Sequence, residues 1–343
     1  MGGKALKNTI TKRIDPENYI RIKKHIKTKL ELEGYVIEEI KEVPGKDSFG
    51  DLDLLYWSGL NSNQDIRHVI IKLFKPNELV VNCDVCSWDF EQFQIDLIKC
   101  TSLTQMAFAK FYFSYGDLGG IIGRICSSHG LKFGHEGLSA VLYENTLYPE
   151  KPFDIKNTTK QILLSDSPDQ VCDFLGLNWT KYTQGFNNLT EIFEWITETK
   201  YFSPELFKTF NHEHFKRLST RPMYIKFIEY IGINLNKIYR GFEFSNNEQL
   251  TAIKYFNAEN LAEKVKSDLE TKKIIHEKFN GNYLIARGYN GKETGKIISE
   301  FKNKVVQDFN ISWEQWILDS DIELIQKVLD GIIEQCGFIN QSI

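Results

Sequence analysis

The run Asp51-Leu52-Asp53-Leu54-Leu55-Tyr56-Trp57 narrows most what this chain can fold into. Its apolar content and period-two alternation predict a strand. Asp51, Asp53 and Leu55 then project from one face. Two carboxylates two positions apart stand roughly 6–7 Å from each other along the backbone. At the edge of a sheet they can converge on divalent cations, which take oxygen ligands. A D-x-D pair is common, and a solvated strand end is the plain alternative. Three features favour chemistry. The pair opens an apolar strand, a small-residue turn (Val43 to Gly50) precedes it, and a further aspartate, Asp96, stands between Ile95 and Leu97. An aspartate in such a setting is expensive to bury unless paired or metal-bound.

The surrounding pattern gives the architecture. Asp15-Pro16-Glu17 reads as a helix start, and the helix runs to a stop at Gly34. Strands are expected at residues 35–42, at 51–57, over RHVIIKLF (67–74) and over FEQFQIDLI (90–98). LTQMAFAKFYFSY and GGIIGRICSSHG read as helices. Beyond residue 165 strand signals fade and helical patterns with capped ends take over, including long stretches at 247–279 and 312–335. The expectation is an α+β chain: a mixed sheet with helices over residues 1–165, then a mainly helical region over 166–343.

Aromatic residues at 13% and hydrophobic residues at 42% suit a packed core rather than long disorder. The net charge of −4 excludes a basic nucleic-acid coat. Two stretches, 1–30 and 261–304, are nonetheless rich in Lys and Arg and form candidate faces for a polyanion. No long apolar run and no secretory signal are apparent, and six cysteines are too few for a disulfide scaffold. An intracellular, cytoplasmic protein with no membrane partner is expected.

SFGDLDLLY resembles the D-x-D strand of the DNA polymerase β-type nucleotidyltransferase superfamily, and FQIDLI resembles its third-aspartate strand. The opening Gly2-Gly3-Lys4 is similar to the glycine turn of a small branch of that superfamily. The resemblance covers roughly residues 2–140. It implies a polymerase β-like palm, with Asp51, Asp53 and Asp96 as catalytic residues holding two Mg²⁺ or Mn²⁺ ions, and a nucleoside triphosphate as donor. Gly2, Gly3, Lys4, Ser48 and Gly50 are its candidate nucleotide-binding residues. The sequence departs from the superfamily in one respect: a Gly-Gly or Gly-Ser pair usually stands about 10 residues before the D-x-D, whereas Gly3 stands 48 residues before Asp51.

In the C-terminal half, Asn280-Gly281 followed by Gly288, Gly291 and Gly295 resembles the body or tail of CCA-adding and poly(A) polymerase-like members. On that resemblance Lys292 and Lys296 would line an RNA path, with a helix N-terminus near a phosphate. A plain surface helix is the alternative. The activity implied is transfer of a nucleoside monophosphate to an acceptor hydroxyl with release of pyrophosphate. An RNA 3′ end, tRNA among the candidates, is the first acceptor expected. A protein or small-molecule acceptor is the rival, and a catalytically inactive binding module is a third reading.

Other signals carry less. Cys83-x-x-Cys86 with Cys126-x-x-His129 imitates a zinc pattern, but Cys86 and Cys126 read better as small buried residues. Ser114 to Gly120 could be a ligand loop, and His135-Glu136 a polar pair or a surface loop. Tyr224, Phe227 and Ile231 fall at helical spacing and read as core.

Overall fold

The computed structural model describes residues 5–59, 65–143, 159–208, 216, 220–238 and 248–337. The chain is α+β, and its described residues divide into two compact units, 1–142 with 161–258 and 143–160 with 259–343.

The first unit is built on a mixed five-stranded sheet of order β1-β2-β5-β4-β3. Its strands are β1 (Val36–Glu39), β2 (Asp51–Trp57), β3 (Leu79–Asn82), β4 (Val85–Phe90) and β5 (Phe93–Lys99). β2 and β5 run parallel at the centre; the other pairs are antiparallel. Helix α1 (Pro16–Leu32) starts where Asp15 accepts from the Asn18 N–H at 2.9 Å. Its buried stripe of Tyr19, Ile22, Ile26 and Leu30 packs on Leu52, Leu54, Ile95 and Leu97. The other face carries Leu55 and Ile98, packed with Met106 and Ala109 of α3 (Leu103–Phe113). Alternation along β2 and β5 thus gives one apolar face and one face whose far end is acidic.

RHVIIKLF is a helix, not a strand: α2 spans Ile66–Phe74. The β-branched run of Val69, Ile70 and Ile71 suggests a strand, but burial follows helical spacing. Ile66, Val69, Ile70 and Phe74 are buried while Ile71 is 53% exposed. Asp65 caps the helix by accepting from the Arg67 N–H. FEQFQIDLI is likewise not one strand. Glu91 and Gln92, both at positive φ, make a two-residue hairpin turn that ends β4 at Phe90 and starts β5 at Phe93. Arg21 pairs with Glu91, and the Lys12 N–H donates to the Gln92 carbonyl, so α1 and the N-terminal arm brace this turn.

After α3 come α4 (Leu118–Ser127) and a second sheet of β6 (Leu131–Gly134), β7 (Gly137–Tyr143) and β8 (Thr159–Ser165). Helices α5 (Pro168–Leu175), α6 (Trp179–Gln184), α7 (Leu189–Thr197), α8 (Pro222–Ile238) and α9 (Glu248–Tyr255) group with these sheets. By compactness, residues 166–258 thus group with the sheets of the first unit. Aromatic packing is the reason: Phe111 of α3 meets Trp179, Tyr182 and Trp195 edge to face.

The second unit contains α10 (Glu259–Lys278), α11 (Asn282–Ala286), α12 (Gly291–Phe309), α13 (Trp313–Asp319) and α14 (Ile322–Cys336). Phe279, Phe301, Trp316, Ile325 and Leu329 lie in its core. Lys278 donates to the carbonyls of Leu318 and Ser320, satisfying the end of α13. Each of the expected long helical stretches proves to be two helices. Among the described residues no helix is long and apolar enough to cross a membrane.

The crossing of α3 and α4 depends on Gly119. A Cβ there would sit 2.2 Å from the Tyr112 carbonyl oxygen. Gly119→Ala is expected to destabilise the protein by about 1–3 kcal/mol, overriding the ordinary helix preference for alanine. Gly123→Ala in the same helix, with its nearest neighbour at 3.4 Å, is expected to be neutral or slightly stabilising. Chemical denaturation of both variants checks this; equal stabilities would refute the close crossing.

Candidate functional site

The parallel register of β2 and β5 pairs Asp53 with Asp96 and Asp51 with Gln94. Asp51, Asp53 and Asp96 thereby gather on one face, each with a carboxylate oxygen within 4.8 Å of the others. Among the described residues this is the one cluster of His, Cys, Asp or Glu with the geometry to share a metal ion. Its donor set is all oxygen and suits a hard divalent cation.

The electrostatics show a site short of positive charge. Burial raises the Asp53 carboxyl well above the ordinary aspartate range, and the neighbouring charges of Asp51, Asp96 and Glu42 raise it further; Lys46 opposes them. Asp96 is also raised, mainly by burial, against hydrogen bonds from Ser87 and Gln94 that favour its ionised form. A cation among these groups would relieve both effects. The residues present therefore fit a metal ion.

Asp51 and Asp53 of the triad border a cavity of about 780 Å³ in the first unit. Asp51, Asp53 and Gly50 form one wall. The segment Ile40 to Lys46 forms a second, the turn Gly116-Asp117 with Gly120 a third, and the start of α8 a fourth. Arg13, Lys41, Lys46, Arg221 and Lys226 contribute five cations to the lining, against the acids Glu42, Asp51, Asp53 and Asp117. Glu42 accepts from the Tyr19 hydroxyl at 2.7 Å and from Lys46 at 2.5 Å. Lys41 donates to the carbonyls of Tyr182 and Thr183, and its own backbone N–H bonds the Ser114 hydroxyl. Arg221 approaches Asp117 to 3.5 Å. These contacts tie the segment 40–46 to the turn after α3 and to α6.

Of the residues singled out from the sequence, Asp51, Asp53 and Asp96 come together and Gly50 lines the adjoining cavity. Ser48 is turned to Arg13, whose guanidinium donates to its hydroxyl at 3.0 Å and its carbonyl at 2.6 Å. Gly2, Gly3 and Lys4 lie outside the described residues. Lys292 and Lys296 are exposed on α12 of the second unit. At the N-terminus of this helix the N–H groups of Lys292 and Glu293 donate to Asn290, in a capping box with Glu293.

Cys83 occupies a two-residue turn between β3 and β4 at positive φ, while Cys86 and Cys126 are buried. His135 stacks on Phe113 at the β6–β7 turn. Tyr224, Phe227 and Ile231 are buried, as read, and Tyr224 also borders the cavity. Sequence reasoning missed Lys41, Glu42, Lys46 and Lys226. Nothing local marks them, because their role comes from walls assembled across distant segments. Arg13 belongs to a basic stretch that was noticed, but only as a charged face.

No protein-family model matches this chain, and no curated protein matches it significantly.

The raised Asp53 carboxyl has a consequence for stability. Below about pH 4 it is protonated in both folded and unfolded chains. As pH rises, the unfolded chain ionises first, so metal-free stability falls until the folded group also ionises. Asp53→Asn should therefore raise the melting temperature in chelator at pH 7.5 by about 2–4 °C, equivalent to roughly 1 kcal/mol. The gap should close as pH falls toward about 4, and Mg²⁺ should stabilise only the wild type. Identical melting curves at pH 7.5 would contradict a repulsive triad.

Proposed function

We propose that this protein is a metal-dependent nucleotidyltransferase with a polymerase β-like palm. It would transfer a nucleoside monophosphate from a nucleoside triphosphate to an acceptor hydroxyl. The observation that carries the reading is the convergence of three carboxylates from two parallel central strands beside a cavity lined also by five cations. A polyanionic donor needs both: acids to hold divalent ions, and separate basic groups for its outer phosphates.

On this reading Asp51 and Asp53 would hold two Mg²⁺ or Mn²⁺ ions, and Asp96 would hold the one facing the acceptor. Such ions supply Lewis acidity, favouring loss of the acceptor proton and neutralising charge on the triphosphate. The chain's own groups do the rest. Arg221 and Lys226, at the exposed start of α8, and Lys46 and Arg13, across the cavity, would orient the phosphates. Tyr19 and Lys46 would keep the Glu42 carboxylate in place. The acceptor oxygen forms a bond to the α-phosphorus, the α–β phosphoanhydride breaks, pyrophosphate leaves and the acceptor proton passes to solvent. Positioning and fixed charge provide most of the acceleration.

The acceptor we place first is an RNA 3′ end, tRNA among the candidates, on the strength of the exposed lysines of α12. A small-molecule or protein acceptor is the second reading. The mixed charge of the cavity favours it, since Glu42 and Asp117 would repel a strand's phosphates. The unpaired cysteines suit a reducing, cytoplasmic setting.

Incubation with each labelled nucleoside triphosphate and Mg²⁺ or Mn²⁺ tests this, with total RNA, protein and small hydroxyl compounds offered separately. Labelling of one acceptor class, falling to background in Asp51→Ala/Asp53→Ala, is expected. Lys226→Ala should raise the KM for the triphosphate about tenfold, the loss of one charged phosphate contact worth roughly 1.4 kcal/mol. A folded wild type that labels nothing and binds no triphosphate would refute the proposal.

A further inference from the structure

Gln94 is an anomaly of the central sheet. It is polar, yet only 2% exposed. It stands two residues before Asp96 on the same face of β5, opposite Asp51 in register. Its amide nitrogen donates to both oxygens of Asp96, at 3.0 and 2.8 Å. Its amide oxygen accepts from the backbone N–H of Ala5 at 3.0 Å. These partners settle the orientation of the amide: only its nitrogen can face a carboxylate, and only its oxygen can face an N–H.

Ala5 is held there by the arm that follows it. Leu6 is buried. The backbone N–H groups of Lys7, Asn8 and Thr9 all donate to the carboxylate of Glu78, at 3.0, 2.9 and 2.8 Å. The Asn8 side chain adds a fourth bond to the same group. Glu78 is itself seated by Asp89, which accepts from the Glu78 N–H at 2.8 Å and from the Asn77 amide at 2.7 Å. Asp89 pairs with Gln94 across the β4–β5 ladder. The contacts form a closed circuit: Asp89 seats Glu78, Glu78 grips the arm, the arm's Ala5 orients Gln94, and Gln94 orients Asp96.

We propose that Gln94 is a positioning residue for the metal-binding carboxylate Asp96, and that the N-terminal arm, clamped by Glu78, locks it in the orientation that does this. The inference rests on the reading of the triad as a metal site. Its physical basis is general. A carboxylate that takes hydrogen bonds on one side presents its remaining lone pairs in a fixed direction, and loss of such a partner weakens metal binding about 10–100-fold. The 46-position separation of Ala5 and Asp51 in sequence is therefore no measure of their functional distance.

The test is Mn²⁺ affinity without nucleotide, read by electron paramagnetic resonance of the free ion, on full-length chains well below their melting temperatures. Gln94→Met keeps the volume and removes the donors; it is expected to weaken Mn²⁺ binding about 10–100-fold. Glu78→Ala, at a half-buried position that touches none of the three carboxylates, is expected to weaken it about tenfold. A merely structural role for either residue would lower the melting temperature and leave the affinity unchanged. That result, in a folded Gln94→Met or in Glu78→Ala should Gln94→Met not fold, overturns the inference while leaving the metal site intact. Asp53→Ala separates the two ideas: wild type that binds Mn²⁺ no better than Asp53→Ala overturns the metal-site reading, and the inference with it.

Discussion

Parallel pairing of β2 with β5, in the register that sets Asp53 beside Asp96, is the contact on which the rest of this structure depends. It brings three carboxylates to one patch, an arrangement that burial and mutual repulsion both oppose. What offsets it lies on the other side of the same strands. Leu52, Leu54, Ile95 and Leu97 are all fully buried beneath α1 and α2. Burial of each such side chain is worth about 1.5–3 kcal/mol, so the apolar face can hold the register that the acidic face resists. A slip of one residue would exchange the two faces. The acidic patch is thus positioned by the core beneath it.

The groups around the patch show the same division between constraint and chemistry. Ser87 and Gln94, buried in the central strands, support Asp96. The cations line the adjoining cavity, and Lys46 is near enough to oppose the rise of the Asp53 carboxyl. Several have acidic or carbonyl neighbours: Lys46 has Glu42, Arg221 has Asp117, and Lys41 has the end of α6. Acids and bases thus alternate around the cavity beside the three carboxylates. A site serving only to bind a strand of nucleic acid would have no use for the three converging carboxylates. Proteins commonly sacrifice stability to such arrangements.

Much of this was legible in the chain. The alternation of residues 51–57 gave a strand with both aspartates on one face, and Asp96 in its apolar frame gave the third. The capped start of α1, the helices on either side of the Ser114 to Gly120 turn and the helical C-terminal half were also readable, because each is encoded by local period and end signals. RHVIIKLF was not, because a short β-branched run fits strand and helix equally until a partner face selects one. The turn at Glu91-Gln92 was hidden as well, having neither glycine nor proline to mark a left-handed pair. It is held by Arg21 and Lys12 from elsewhere.

The sequence by itself determined the periods: which residues of each element share a face, where most helices begin and end, and that acids stand at one end of two apolar strands. The tertiary structure alone decided the partners. It set β2 against β5 in register, brought Arg13, Lys46 and Lys226 to one cavity, returned Ala5 to Gln94, and grouped α5 to α9 with the sheets. The physical reason is that side-chain period is a property of a few neighbouring residues. Pairing is chosen by the total burial and hydrogen bonding of the whole unit, which no local window contains.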